Sequence, residues 1–272
     1  MTLRTPVSLL LAIARDVLSR PGCHSYAHDH RVQVADLHVP RGEGPFPVAV
    51  VLHGGHWRAT DGKLTTRPLA ADLARRGWAA WNVEYRRLDR GQGGGWPATF
   101  TDVAAAVDHL AVLGDPRLDL SRVAVVGHSA GGQLALWAAA RPALPAGAPG
   151  ANPRVRLRAV VALAPVTELT RAGRVVHRLL GGTPKQVPGR FAQADPIRHL
   201  PLGVPTLLVH ASDDTTIAVH DSRAYVSAAR AAGDDATLVE PATGGHPGLI
   251  NPGTEAWKAA AEWLAAREPS GL

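Results

Sequence analysis

Residues 123–140 read VAVVGHSAGGQLALWAAA, and this stretch restricts the fold more than any other. A Val/Ala run of this kind is a buried strand, and a helical pattern follows it with almost no loop between. The join is Gly127-His128-Ser129-Ala130-Gly131. Glycine loses more conformational entropy on ordering than any other residue, so two at one join mark a turn that needs their geometry. A strand that turns this sharply into a helix lifts the intervening side chain, the Ser129 hydroxyl, clear of the sheet. It also sets the Ala130 N–H at a helix N-terminus, where free donors and the helix dipole favour negative charge.

The remaining pattern places that turn in an alternating fold. Strands are expected over Gln33 to Val39, Pro47 to Leu52, Ala79 to Glu84, Arg122 to Val126, Leu157 to Leu163, Thr206 to Val209 and Ala236 to Val239. Helical spacing covers Leu64 to Arg76, stopped by Gly77, then Thr99 to Leu113, Gln133 to Arg141, Val219 to Ala232 and Thr254 to Ala266. Alternation of this kind predicts an α/β fold, a mostly parallel central sheet flanked by helices on both faces. The 272 residues suit one domain over 1–272, since no linker divides them and the Pro142 to Pro153 stretch reads as a loop. Residues 166–202 carry Gly181-Gly182, Pro184, Pro188 and Pro196. They are expected to form a small cap, with Leu179, Leu180 and Phe191 over a pocket. Residues 1–25 hold an expected amphipathic helix over 7–19. Its apolar run resembles a weak targeting segment but is cut short by Arg15 and Asp16.

Composition removes several classes of partner. The formal net charge is +6, but the arginines are scattered, the pairs Arg75-Arg76 and Arg86-Arg87 make no long cluster and no basic helix appears, so no nucleic acid is expected. No apolar run is long enough to span a bilayer, so no membrane is expected. The single cysteine, Cys23, rules out a disulfide within the chain. Nothing therefore demands an oxidising compartment, and a cytoplasmic location is expected.

A serine hydroxyl is a poor nucleophile that needs a base within hydrogen-bond reach and donors for the oxyanion it creates. G-x-S-x-G between strand and helix is the nucleophile elbow, whose partners follow in the chain order serine, acid, histidine. His210-Ala211-Ser212-Asp213-Asp214 follows one late strand, and Thr243-Gly244-Gly245-His246-Pro247 follows the last. Ser129 is the candidate nucleophile and His246 the candidate general base and acid. Register from His210 favours Asp214 as the acid, with Asp213 capping a loop. All three fall at strand C-terminal ends, where open α/β sheets place their sites. His210 reads as a satisfied strand-end residue, and His128 as packing against neighbouring loops.

His53-Gly54-Gly55-His56-Trp57 directly follows the Pro47 to Leu52 strand. It offers the N–H groups of Gly55 and His56, with that of Ala130, as an oxyanion hole. His53 and His56 lack a nearby acid or cysteine ligand, so no metal or cofactor is expected. Trp57 and Trp96 are candidate substrate-binding walls, and each is equally suited to buried packing.

Together these pieces resemble the α/β-hydrolase superfamily, in the esterase branch with an HGG-type oxyanion loop. That branch includes hormone-sensitive-lipase-like carboxylesterases and arylformamidases. The resemblance runs from about Tyr26 to Trp263. It takes in His53 to Trp57, Glu84-Tyr85-Arg86-Arg87, Trp96-Pro97 with Asp102-Val103, Gly127 to Gly132, His210 to Ile217 and Gly245-His246. It implies the α/β-hydrolase fold, a second cap piece in the helix expected within residues 1–25, and a serine hydrolase that cleaves small carboxylic esters or aryl formamides through an acyl-enzyme, without a cofactor. His56 departs from the HGGG pattern, and Ala211 stands where many relatives have glycine. The same triad also serves peptidases, thioesterases and lactone hydrolases, and a non-catalytic binding protein on this fold is the reading of another class. Oligomeric state is not legible.

Overall fold

The computed structural model describes residues 21–89 and 91–267. The helix expected over 7–19 lies outside the described residues. Eight strands form one sheet: β1 (Gly22–Ser25), β2 (Val34–His38), β3 (Phe46–Leu52), β4 (Ala79–Val83), β5 (Leu118–His128), β6 (Leu157–Leu163), β7 (Thr206–Val209) and β8 (Ala236–Val239). Their spatial order is β1-β2-β4-β3-β5-β6-β7-β8. Strand β2 runs antiparallel to both of its neighbours, and all other adjacent pairs are parallel.

The helices are α1 (Arg67–Arg75), α2 (Ala98–Leu113), α3 (Ala130–Ala140), α4 (Arg174–Leu180), α5 (Pro188–Ala194), α6 (Val219–Ala231), the single turn α7 (Gly245–Gly248) and α8 (Glu255–Ala265). Side chains alternate across a strand, and here the alternation feeds two cores. Val48, Val50 and Leu52 of β3 face the core built with α2, α3 and α6, while Ala49 and Val51 face the one built with α1 and α8. All five are fully buried, which is why the central strands read as unbroken apolar runs. Each buried valine contributes on the order of 1.5–3 kcal/mol of transfer free energy before entropy is counted. On the second face, the indole N–H of Trp257 in α8 donates to Asp72 of α1 at 2.7 Å.

Residues 166–202 form α4, α5 and the 3-10 turns Leu169–Arg171 and Pro196–His199. The sequence reading puts Leu179, Leu180 and Phe191 over a pocket, and the structure does not. They are fully buried in the main core. The segment is tied down by Trp137 Nε1 donating to the Gln193 carbonyl at 3.0 Å, Gln133 Nε2 to that of Ala194 at 2.9 Å, and the Trp96 N–H to that of Leu179 at 2.6 Å. Among the described residues no helix is long and apolar enough to cross a membrane.

Candidate active site

Strand β5 ends at His128 and α3 begins at Ala130, so Ser129 makes the whole turn alone. Its backbone sits at φ 55° and ψ −118°, a strained conformation for a residue with a side chain. The neighbouring glycines are demanded by space. A Cβ on Gly127 would lie 2.1 Å from the Gly131 carbonyl oxygen, and one on Gly131 would lie 2.3 Å from that of Leu52. The Ser129 N–H donates to the Leu163 carbonyl at 2.8 Å, fixing the turn to β6.

The loops after β7 and β8 meet beside this turn. The Nδ1–H of His246 donates to Asp214 Oδ2 at 2.7 Å. The other Asp214 oxygen accepts the N–H groups of Thr216, at 2.7 Å, and Ile217, at 3.1 Å. Burial works to raise the Asp214 pKa. The bonds from His246 and from the backbone of Ile217 and Thr216 outweigh it and hold the carboxyl below the usual carboxylate range. Asp213 makes a different contact, accepting from the N–H groups of Gly244 at 3.2 Å and Gly245 at 2.8 Å. His210 is fully buried. Its Nε2–H donates to the Ile217 carbonyl at 3.0 Å, and its Nδ1 accepts the Ser222 hydroxyl at 2.7 Å. Nε2 also lies 3.3 Å from Asp214 Oδ2. Ser129 and His246 share no hydrogen bond among the described residues. Catalytic contacts in unliganded sites are often open and tighten only around substrate.

The His53 to Trp57 loop crosses directly over the elbow. A Cβ on Gly54 would come within 3.2 Å of Ser129 Cβ. Gly55, His56 and Trp57 all have positive φ, at 105°, 53° and 54°. That run persists because the base of the loop is clamped. The buried His53 ring lies flat on Tyr85, with centroids 4.2 Å apart, and its Nε2 is 2.9 Å from Glu84 Oε1. The Tyr85 hydroxyl donates to the His53 carbonyl at 2.7 Å. At the far end, the Leu88 N–H donates to the Trp57 carbonyl at 2.8 Å. Burial raises the Glu84 carboxyl, but His53 and Arg87 more than offset this and keep it below its ordinary value. The N–H groups of Gly55, His56 and Ala130 are spent in no backbone hydrogen bond outside regular elements among the described residues.

Residues 35–228 match the BD-FAE family model. The chain belongs to the BD-FAE family. Two curated proteins of Mycobacterium tuberculosis are similar to it. The probable carboxylic ester hydrolase LipM is 28% identical over 202 residues, covering 69% of this chain and 46% of its own. Esterase LipQ is 29% identical over 203 residues, with the same shares. This BD-FAE chain thus spans about half the length of the curated relatives it matches. Among solved structures, a truncated carbohydrate esterase from gut microbiota superposes with a TM-score of 0.75 at 20% identity, covering 91% of this chain and 96% of that one. An esterase of the planctomycete Thermogutta terrifontis, determined with butyrate bound, gives 0.73 at 24% identity, covering 92% and 93%. These likenesses establish the α/β-hydrolase fold.

Two residues expected as substrate walls sit elsewhere in the BD-FAE chain. Trp57 is 1% exposed, and its indole N–H donates to Gln133 Oε1 of α3 at 3.1 Å. It anchors the loop from within the core and presents no wall to a substrate. Trp96 is half-buried against Phe100, with ring centroids 5.0 Å apart. It lines an open cleft of about 490 Å³ with the loop at 145–149 and the Val187 to Gln193 stretch, and neither Ser129 nor His246 borders that cleft. In sequence, Glu84 ends an expected strand and Tyr85 belongs to the family-like Glu84 to Arg87 stretch, and neither carries a role. Their contact with His53 gives them a physical task, and their place just past the end of β4 is the signal for it.

Proposed function

We propose that this BD-FAE chain is a serine hydrolase that cleaves small carboxylic esters through an acyl-enzyme. The reading rests chiefly on one observation. The His246 ring is oriented by Asp214 at 2.7 Å, on a loop that meets the strained Ser129 elbow. Ser129 Oγ attacks the ester carbonyl carbon while His246 Nε2 takes the hydroxyl proton. The N–H groups of Gly55, His56 and Ala130 receive the oxyanion. Asp214, held ionised by its hydrogen bonds, stabilises the imidazolium. The C–O bond to the alcohol breaks and the alcohol leaves with the His246 proton. Water then repeats the sequence, releasing the acid and restoring Ser129. The ester hydrolase names of the two mycobacterial relatives support the bond type.

A panel of p-nitrophenyl acyl esters and N-formylkynurenine, with fluorophosphonate labelling, tests this. The expected result is turnover of short esters, stoichiometric labelling of the wild type, and neither in Ser129→Ala. An alanine variant as active as the wild type overturns the mechanism. Preference for the formamide over every ester overturns the substrate class.

A further inference from the structure

His128 occupies an unusual place, the variable position inside the elbow, directly before Ser129. It is 7% exposed. Its Nε2 lies 3.1 Å from the carbonyl oxygen of His246. A carbonyl only accepts, so Nε2 carries the ring proton and Nδ1 is the bare nitrogen. That bare side meets Gly54, where a Cβ would come within 2.9 Å of Nδ1. The His128 and His246 rings are tilted at 45°, with centroids 4.6 Å apart. One imidazole therefore belongs to the elbow, packs under the His53 to Trp57 loop, and holds the backbone of the loop after β8.

That last loop needs holding. Gly244 and Gly245 both have positive φ, at 131° and 55°, and Ala242 to Gly244 are exposed. Paired glycines leave many conformations open to the unfolded loop. Asp213 fixes the loop's entry through two N–H groups, and Asp214 fixes the His246 ring. Both aspartates reach His246 from the loop after β7, whereas the His128 side chain reaches it from the residue directly before Ser129.

We propose that His128 is a positioning residue, whose hydrogen bond to the His246 carbonyl sets the general base against Ser129 and under the oxyanion loop. This rests on the serine hydrolase reading above. A neutral donor suits the task, since His246 becomes cationic during the reaction and a second cation beside it would oppose that. Burial first, and the nearby His246 second, push the His128 pKa down to about 3.

The test measures kcat and KM for p-nitrophenyl butyrate, with kcat expressed per active site titrated by a fluorophosphonate. Misplacing a catalytic group by about 1 Å costs up to about 100-fold. His128→Leu, which fills the space without a donor, is expected to lose about 30–100-fold in kcat with KM within about threefold. His128→Gln, whose amide N–H reaches the same carbonyl, is expected to stay within about fivefold of wild type. A residue that only packs would lower the melting temperature or the titrated fraction and leave kcat per site unchanged. His128→Leu within about threefold of wild-type kcat overturns the proposal, as does His128→Gln falling equally far. If the leucine variant does not fold, His128→Asn, one methylene too short, is compared with His128→Gln, and equal kcat overturns it. Ser129→Ala run alongside keeps the two readings apart. Its full activity defeats the serine mechanism, whereas its inactivity beside an unimpaired leucine variant defeats the role of His128 alone.

Discussion

Asp213 and Asp214 stand side by side after β7 and grip two different parts of one loop, the first its backbone and the second the His246 ring. Their substitutions should therefore separate. Asp214→Asn is expected to lower kcat by about 10⁴-fold, because the amide no longer enforces the Nδ1–H tautomer. Asp213→Asn keeps an oxygen for the Gly245 N–H and should cost about tenfold or less. Steady-state kinetics on the same ester decide it. Equal losses, or the reverse ranking, count against the assignment of the acid.

Asp72 makes a stability prediction with a defined pH dependence. It accepts from Trp257 at 2.7 Å and from Arg76 at 2.6 Å. Burial raises its pKa, but these bonds prevail and the folded value lies below the ordinary one. A carboxyl depressed on folding stabilises the protein above its unfolded pKa of about 3.9, and that stabilisation is lost as pH falls through the folded value. Asp72→Asn should cost about 1–3 kcal/mol at pH 7. The gap from wild type should narrow as pH drops below about 4. Urea unfolding at several pH values reads both.

Two glycine-to-alanine changes should behave oppositely. A Cβ on Gly131 meets the carbonyl oxygens of Leu52 and His53 at 2.3 and 2.4 Å. All three nearest atoms are backbone of Leu52 and His53, with no flexible side chain to yield, and Gly131→Ala should abolish folding or activity. Gly189 opens onto empty space within the first turn of α5. Gly189→Ala should be neutral or stabilising by up to about 1 kcal/mol. Thermal melts of the two variants compare them directly.

The segment at 166–202 has its large apolar side chains, Leu179, Leu180 and Phe191, already buried in the core. Exposing them to form a mobile lid would cost about 1.5–3 kcal/mol each. Rates are thus expected to follow dissolved monomer with no rise at the solubility limit, and to peak between acetyl and butyryl esters. A maximum at decanoyl or longer, or activation at an oil–water interface, would sink this expectation.

The parts of the fold legible in sequence are those that local rules decide. The bounds expected for the strands at 157–163, 206–209 and 236–239 agree with β6, β7 and β8, because each is an apolar run closed by turn residues. Strand β1 was not foreseen, since Gly22–Ser25 has no apolar alternation and is a strand only through its pairing with β2. Strand β5 reaches back from its expected start at Arg122 to Leu118, past a register irregularity opposite Pro47 and Val48. In that extension Asp119 and Ser121 interrupt the continuous apolar run that marks the rest. The strand–turn–helix at Ser129 and the different contacts of the two aspartates were legible as placements, because G-x-S-x-G and the loops after β7 and β8 stand in a recognisable order along the chain. Trp57 was not, because an indole in a pocket and an indole in a core are the same letter, and only the packing of α3 separates them.

Strand β8 is four residues long, lies at the edge of the sheet, and has only Ala236 fully buried. It nonetheless leads into the loop that carries His246. An opening that peels β8 from β7 would carry the histidine away while the central strands stay paired, so the candidate site is only as durable as this margin of the sheet. On slow heating, turnover should fade reversibly at temperatures where the far-ultraviolet signal is still native. In hydrogen exchange, the amides of Thr237 to Val239 should exchange well before those of β3 and β5.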